Sequence, residues 1–400
     1  MRIALFHNLP SGGAKRAVYE WVRRLAGSHT FDVYTLSIAD HEFCDIRPFV
    51  SSYKIYDFQP RKLFHSPFGR LNQVQRLRDL VDLDRLYQKI AELINAGGYH
   101  VLFAQTGSFT FIPPLLQYVR IPSTYYLHEP IGIGFFRRYG RPYMGESRRQ
   151  EAMDRFDPLL RSYRNHLLRL QKRSISNTKK LLANSNYTSL ANKEVFGRSA
   201  EICPLGVDLD GFYPLPNTAR ENFVISVGEM SARKGFDFII ESLSRIKLWE
   251  RPSLKLACNH INVDELNYVQ ELATRHGVEI EVLSHLGADE LRILYKRALF
   301  CVYAPVMEPF GLVPLESMAC GTPVVGVREG GLPESIQHEV TGLLVDRDPD
   351  HFAEAIQRLM KYPDLVESYG RNGRAYVAQN WTWERSASLL EGHLKECAFD

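Results

Sequence analysis

The sequence is poor in the features that mark a specialised class. Its six cysteines (Cys44, Cys203, Cys258, Cys301, Cys320, Cys397) lie far apart and form no C-x-x-C pair. That argues against a disulfide framework and against a zinc site, and it fits a reducing compartment. Glycine and proline contribute only 27 and 21 of 400 residues, which excludes collagen-like and low-complexity chains. No long apolar run survives either: the most apolar stretch, 298–327, is broken by Glu308, Glu316 and four prolines, so it is not a membrane span. The start, Met1-Arg2-Ile3-Ala4-Leu5-Phe6-His7, enters a strand pattern at once, without a cationic leader or a small-residue cleavage site. The expectation is a cytoplasmic protein that meets a membrane only at its surface. Net charge is +3, from 49 basic and 46 acidic side chains, too little to imply nucleic acid as a partner.

What is present is ordinary folded material, with 45% hydrophobic and 24% charged residues. At 400 residues the chain has room for two to three domains of roughly 150 residues each. Short β-branched runs alternate with helical periodicity, the pattern of βαβ units around a parallel sheet. One series of strands is expected at 3–7, 31–36, 100–104, 123–127 and 181–183, with helices over 14–25 and 71–94. A second series is expected at 222–228, 254–258, 279–283, 300–303 and 323–327. Both halves read as α/β, doubly wound units. The Gly- and Pro-containing stretch CPLGVDLDGFYPLPN, from Cys203 to Asn217, marks the linker. The organisation is therefore 1–205, 206–380 and a last helical stretch at 381–400, where Trp383, Ala387 and Leu390 share a face.

Three places could carry chemistry. Ser11-Gly12-Gly13 sits between the first strand and its helix, where free amides and close backbone approach suit an anion or simply a tight turn. It is not the spaced G-x-G-x-x-G of dinucleotide binding, which disfavours a dehydrogenase. Arg233-Lys234-Gly235 follows a strand whose carboxyl end is where open α/β sheets bind ligands, and two cations there suit phosphate. The most specific is EPFGLVPLESMACGTPVVGVREGG, Glu308 to Gly331. Gly311 and Leu312 open a helix whose amides and dipole can hold a diphosphate. Glu308 before it and Glu316 within it are carboxylates, of no use to a bare phosphate but well suited to the hydroxyls of a nucleotide-sugar.

The run EPFGLVPLESMACGTPVV resembles the E-x7-E signature of retaining glycosyltransferases of the GT-B fold, specifically the family 4 group. SGGAKR, LLANSNYTS at 181–189, PLGVDLDGFYP at 204–214, RKGFD at 233–237 and GGLPE at 330–334 extend the resemblance across most of the chain. It implies two Rossmann-like domains facing an interdomain cleft, with donor held mainly by the second, acceptor by the first, and the last helix crossing back. On these positions it implies that Gly13 approaches the donor diphosphate and Lys234 neutralises it. Backbone amides around Phe310, Gly311 and Leu312 would receive the phosphates or the transferred sugar. Glu308 would take sugar hydroxyls, Glu316 the ribose, and His128 of YYLHEP would lie near the anomeric carbon.

The resemblance further implies transfer with retention to a hydroxyl of a glycolipid, polysaccharide or small glycoside, with no cofactor and no essential metal. Asp208-Leu209-Asp210 spells the D-x-D of metal-dependent transferases but falls in the linker. One departure is Glu229, where the family carries arginine after the strand-end glycine; Arg233 is the expected substitute. An epimerase or phosphorylase on the same scaffold, or a non-catalytic sugar-nucleotide-binding subunit, stays open. So does the basic stretch 135–180, with 13 Lys or Arg against 4 acids, either a solvated face or a surface for anionic lipid.

Overall fold

The computed structural model describes residues 1–64, 71–107, 109–130, 140–144, 157–216 and 218–400. The first sheet contains β1 (Arg2–Asn8), β2 (Thr30–Leu36), β3 (Ser52–Tyr56), β4 (Val101–Gly107), β5 (Ser123–Leu127), β6 (Lys180–Ala183) and β7 (Glu201–Ile202). All pair in parallel, in the order β3-β2-β1-β4-β5-β6-β7. Helices α1 (Gly13–Leu25), α2 (Asn72–Ala96), α3 (Pro158–Asn177) and α4 (Asn186–Phe196) accompany it. β1 is apolar almost without alternation because it is central and covered on both faces, with every residue after Arg2 buried. α1 lays Ala17, Val18, Trp21, Val22 and Leu25 against the sheet, the spacing of one helical face.

The second sheet contains β8 (Phe223–Val227), β9 (Ser253–Ala257), β10 (Ile280–Leu283), β11 (Cys301–Tyr303), β12 (Val324–Val327) and β13 (Gly342–Val345), in the order β10-β9-β8-β11-β12-β13. Its helices are α5 (Phe236–Ser244), α6 (Val263–His276), α7 (Ala288–Arg297), α8 (Leu312–Ala319), α9 (Leu332–Ser335), α10 (Pro349–Lys361) and α11 (Pro363–Asn380). In each sheet the strand order reverses beside the first strand, between β1 and β4 and between β8 and β11. Such reversals open a crevice at the carboxyl ends of the strands. The loops bearing Gly12-Gly13 and Arg233-Lys234 both leave those ends.

The final helix, α12 (Trp383–Phe399), packs on the first domain. Trp383 meets Trp21 edge to face at 6.3 Å, and Trp21 Nε1 donates to Ser386 Oγ at 2.9 Å. His29 lies 3.0 Å from Glu391, and Arg24 2.7 Å from Glu384. Where the chain enters this helix, the Val207 amide of the linker donates to the Trp381 carbonyl at 2.8 Å. A Cβ on Gly206 would stand 2.4 Å from the Trp383 nitrogen, so only glycine allows this crossing of strands of chain.

Three strands were absent from the sequence expectation: β3, β7 and β13. β3 is a sheet edge whose five residues are half-buried or exposed, and no apolar run marks it. β7 has two residues and β13 four. β4 runs on to Gly107, three residues past the expected end, because Gly107 still pairs with β1 and Gln105 is buried despite its polarity.

Candidate functional site

The second domain builds its half of the site from two loops. After β8, residues 232–234 form a single tight turn closed by Gly235 at φ +68°. A Cβ there would stand 2.1 Å from the Ala304 carbonyl oxygen, so glycine is required both for the turn and for its approach to the β11 loop. That approach brings Lys234 Nζ to 3.0 Å from Glu308 Oε2. Gly311, at φ +95°, opens α8 with no side-chain cap, leaving the first amides of the helix available to a ligand. Phe310 is buried against Trp381, with ring centroids 5.4 Å apart, so only its backbone can serve a ligand.

The first domain supplies the facing half. The β1–α1 turn stands against the start of α8, and a Cβ on Gly13 would lie 3.3 Å from Leu312 Cδ1. Three residues later Arg16 reaches across, Nη1 2.8 Å from Glu316 Oε1. Tyr295 OH approaches the other carboxylate oxygen at 3.4 Å. From the end of β5, Glu129 lies 3.4 Å from Arg233 Nη1. Glu229 is exposed and accepts from Ser231 Oγ at 3.1 Å.

His128 is buried against Trp21 and Tyr126 and meets Gln105 Oε1 through Nε2 at 2.7 Å. Burial pulls its pKa down to about 3, so the ring is neutral. Because the amide oxygen of Gln105 only accepts, Nε2 carries the proton and Nδ1 is the acceptor. The Asn184 amide nitrogen donates to the His128 carbonyl at 2.8 Å, fixing the backbone of the turn.

The two acids differ. Burial would raise the Glu308 carboxyl, but Lys234 and Arg233 overcome it and hold it below the usual range. At Glu316 burial dominates and the pKa is raised in spite of Arg16.

Gly13, Arg233, Lys234, Glu308, Gly311, Leu312 and Glu316 thus converge where the two switch points face each other. His128 joins them through its neighbour Glu129. Sequence reasoning missed Arg16, Glu129 and Gln105. Arg16 and Glu129 stand inside quoted motifs, SGGAKR and YYLHEP, and a charge there was the available signal; Gln105 carried none. Among the described residues, one group of metal-ligating side chains comes together, Glu201, His393 and Glu396. Lys180 bridges its two carboxylates. The Asp208 carboxylate accepts from the Asp210 amide at 3.1 Å, closing its own turn. No helix among the described residues is long and apolar enough to cross a membrane.

Two doubly wound sheets with facing switch points, closed by a last helix on the first domain, define the GT-B fold. Solved structures of that fold superimpose along the whole chain. Sucrose-phosphate synthase from Thermosynechococcus elongatus gives a TM-score of 0.72 at 20% identity, covering 99% of this chain and 98% of that one. HepE from Anabaena, in complex with UDP-glucose, gives 0.72 at 18%, covering 99% and 100%. Residues 214–376 match the family model described as Glycosyl transferases group 1. An uncharacterized glycosyltransferase of Methanocaldococcus jannaschii is 35% identical over 170 residues, 42% of this chain and 43% of its own. The human alpha-1,3/1,6-mannosyltransferase is 29% identical over 245 residues, 52% and 56% of the two chains. A GDP-mannose-dependent phosphatidylinositol monomannoside mannosyltransferase of Mycolicibacterium smegmatis is 32% identical over 234 residues, 52% and 61%. The chain spans about half the length of the curated relatives it matches.

Proposed function

We propose that this protein is a glycosyltransferase that moves a sugar from a nucleotide-diphosphate-sugar to a hydroxyl acceptor, with retention at the anomeric carbon. The observation that carries the reading is the Lys234–Glu308 pair, 3.0 Å apart, beside the uncapped start of α8. An ammonium has three donors, and Glu308 engages one. The other two and the α8 amides meet the negative charge that grows on the diphosphate as the glycosidic bond breaks, the charge whose stabilisation limits such a transfer. Glu308, kept ionised, accepts hydroxyls of the sugar. Retention follows if the departing diphosphate takes the proton of the acceptor on the same face, with no protein nucleophile.

In this reading residues 206–380 hold the donor, and the first domain, with neutral His128, holds the acceptor. His128 Nδ1 offers a lone pair to a sugar hydroxyl rather than a cation to the diphosphate. Glu316 takes the ribose once Arg16 yields it, or shares it with Arg16. Arg233, with Glu129 beside it, supplies the second cation that Glu229 does not. Neither a metal nor a cofactor is required by these groups. UDP-glucose in the HepE structure and the GDP-mannose dependence named for the mycobacterial relative favour UDP or GDP as the carrier.

Calorimetric titration with UDP, GDP, ADP and dTDP, repeated on Glu316→Ala, tests the donor site. Selective binding that weakens in the variant is the expected result; no binding to any of the four would sink the reading. The anomeric configuration of the product, read by proton NMR, tests retention.

We also propose a cytoplasmic protein that docks on anionic membrane carrying a lipid-linked acceptor. α3 presents Arg161, Arg169, Lys172 and Arg173 to solvent. Residues 135–139 and 145–156 of the basic stretch lie outside the described residues. Equal co-sedimentation with neutral and anionic liposomes would remove the membrane from the proposal.

A further inference from the structure

Between β5 and α3 the first domain reaches over to the second. Arg141, nearly buried, binds Glu265 in a two-pronged pair, Nε to Oε2 at 3.0 Å and Nη2 to Oε1 at 2.9 Å. Its Nη1 donates to Asp237 Oδ2 at 2.6 Å and its Nη2 to the Ala232 carbonyl at 3.3 Å. The guanidinium lies over the Tyr268 ring, 4.9 Å from its centroid, and Tyr143 OH donates to the same Glu265 carboxylate. Glu265 is fully buried, and the partners of its carboxylate among the described side chains, Arg141 and Tyr143, come from the other domain.

Position gives this contact its meaning. Glu265 and Asp237 start α6 and α5, the helices that follow β9 and β8. Further interdomain contacts sit on the opposite flank, after β11 and β12. There Ser185 Oγ donates to the Pro309 carbonyl, and Glu334 accepts the amides of Asn186 and Tyr187 at 2.8 and 2.9 Å. Lys234, after β8, and Glu308, after β11, join the two flanks. Ala232 and Asp237, both held by Arg141, bracket the turn that presents Arg233 and Lys234.

A buried ion pair adds little net stability, because desolvation offsets its attraction. It has a different merit: when the domains part, both ions regain their hydration, whereas an apolar plug would be left exposed. We propose that Arg141 is a reversible latch. Its pair with Glu265 holds the two domains closed over the cleft and, through Ala232 and Asp237, positions the turn bearing the two cations. The positioning half rests on the cleft being the nucleotide-sugar site; the latch itself does not.

The test uses the full chain as wild type, Arg141→Lys and the double variant Arg141→Ala/Glu265→Ala. Lysine cannot reproduce the two-pronged geometry, and the double variant strands no buried charge, so its fold is expected to persist in near-UV circular dichroism. Small-angle scattering should give both variants a larger radius of gyration than wild type. Calorimetry should give about tenfold weaker binding of whichever of UDP or GDP wild type takes, because the closed state is less populated. Wild-type scattering from both folded variants would overturn the latch. Expansion with unchanged nucleotide affinity would overturn the positioning role. If wild type binds no nucleotide, scattering still decides the latch and only the functional reading falls.

Discussion

Glu308 and Glu316 flank one helix start and are pushed in opposite directions. Lys234 and Arg233 hold Glu308 ionised, while burial favours the proton on Glu316. Glu308→Gln keeps the shape and removes the charge that orients Lys234. We expect a fall of about 10²-fold or more in transfer rate, the scale of losing one well-placed electrostatic group. A steady-state assay on a donor that binds checks this, and near-wild-type turnover would remove Glu308 from the chemistry. His128 gives a prediction in pH. Its folded pKa, about 3, is below its ordinary value of 6.5. Between those values the unfolded chain binds a proton that the folded one does not, so stability falls as pH falls from about 6.5 toward 3. From pH 7 to pH 5 the loss from this group is about 2 kcal/mol. Urea denaturation at the two pH values should show it, and His128→Gln should show that much less pH dependence.

At the scale of elements, the tight turns decide which cations reach the cleft. Gly235→Ala would impose a left-handed backbone on alanine and drive its Cβ into the Ala304 carbonyl. A loss of more than about 2 kcal/mol is expected, read as a lower midpoint in thermal unfolding, together with weaker nucleotide binding as Lys234 leaves Glu308. An unchanged midpoint would mean that the β11 loop gives way freely. This turn was legible in the sequence because Arg-Lys-Gly follows a strand of buried β-branched residues. So were the central strands, whose burial on both faces leaves an unbroken apolar run. Edge strand β3 was not, since Ser52–Tyr56 mixes Lys54 with partly exposed tyrosines and owes its form to pairing with β2. In the site, the residues inside glycine-marked loops could be read. Arg16–Glu316 and Arg141–Glu265 could not, because each joins residues more than a hundred positions apart and no local pattern encodes such a pair.

Over the whole molecule, α12 binds the end of the described chain to its beginning. Trp383 is buried against Trp21, and the Ser386 hydroxyl both accepts from that indole and donates to the Pro204 carbonyl at 2.6 Å. Trp383→Ala removes a large buried ring and should cost about 3–5 kcal/mol. Chemical denaturation measures it; a loss below about 1 kcal/mol would mean that the helix adds little to the first domain.

The same helix imposes an order on biosynthesis. The strands and helices of the first domain leave the ribosome long before residue 383, and at about 5–20 residues per second the second domain takes roughly ten to forty seconds to follow. Throughout that interval the apolar side of Trp21 has no cover. The nascent first domain therefore emerges with a sticky flank, and a chaperone that shields it until release would raise the yield of folded protein without touching the finished one.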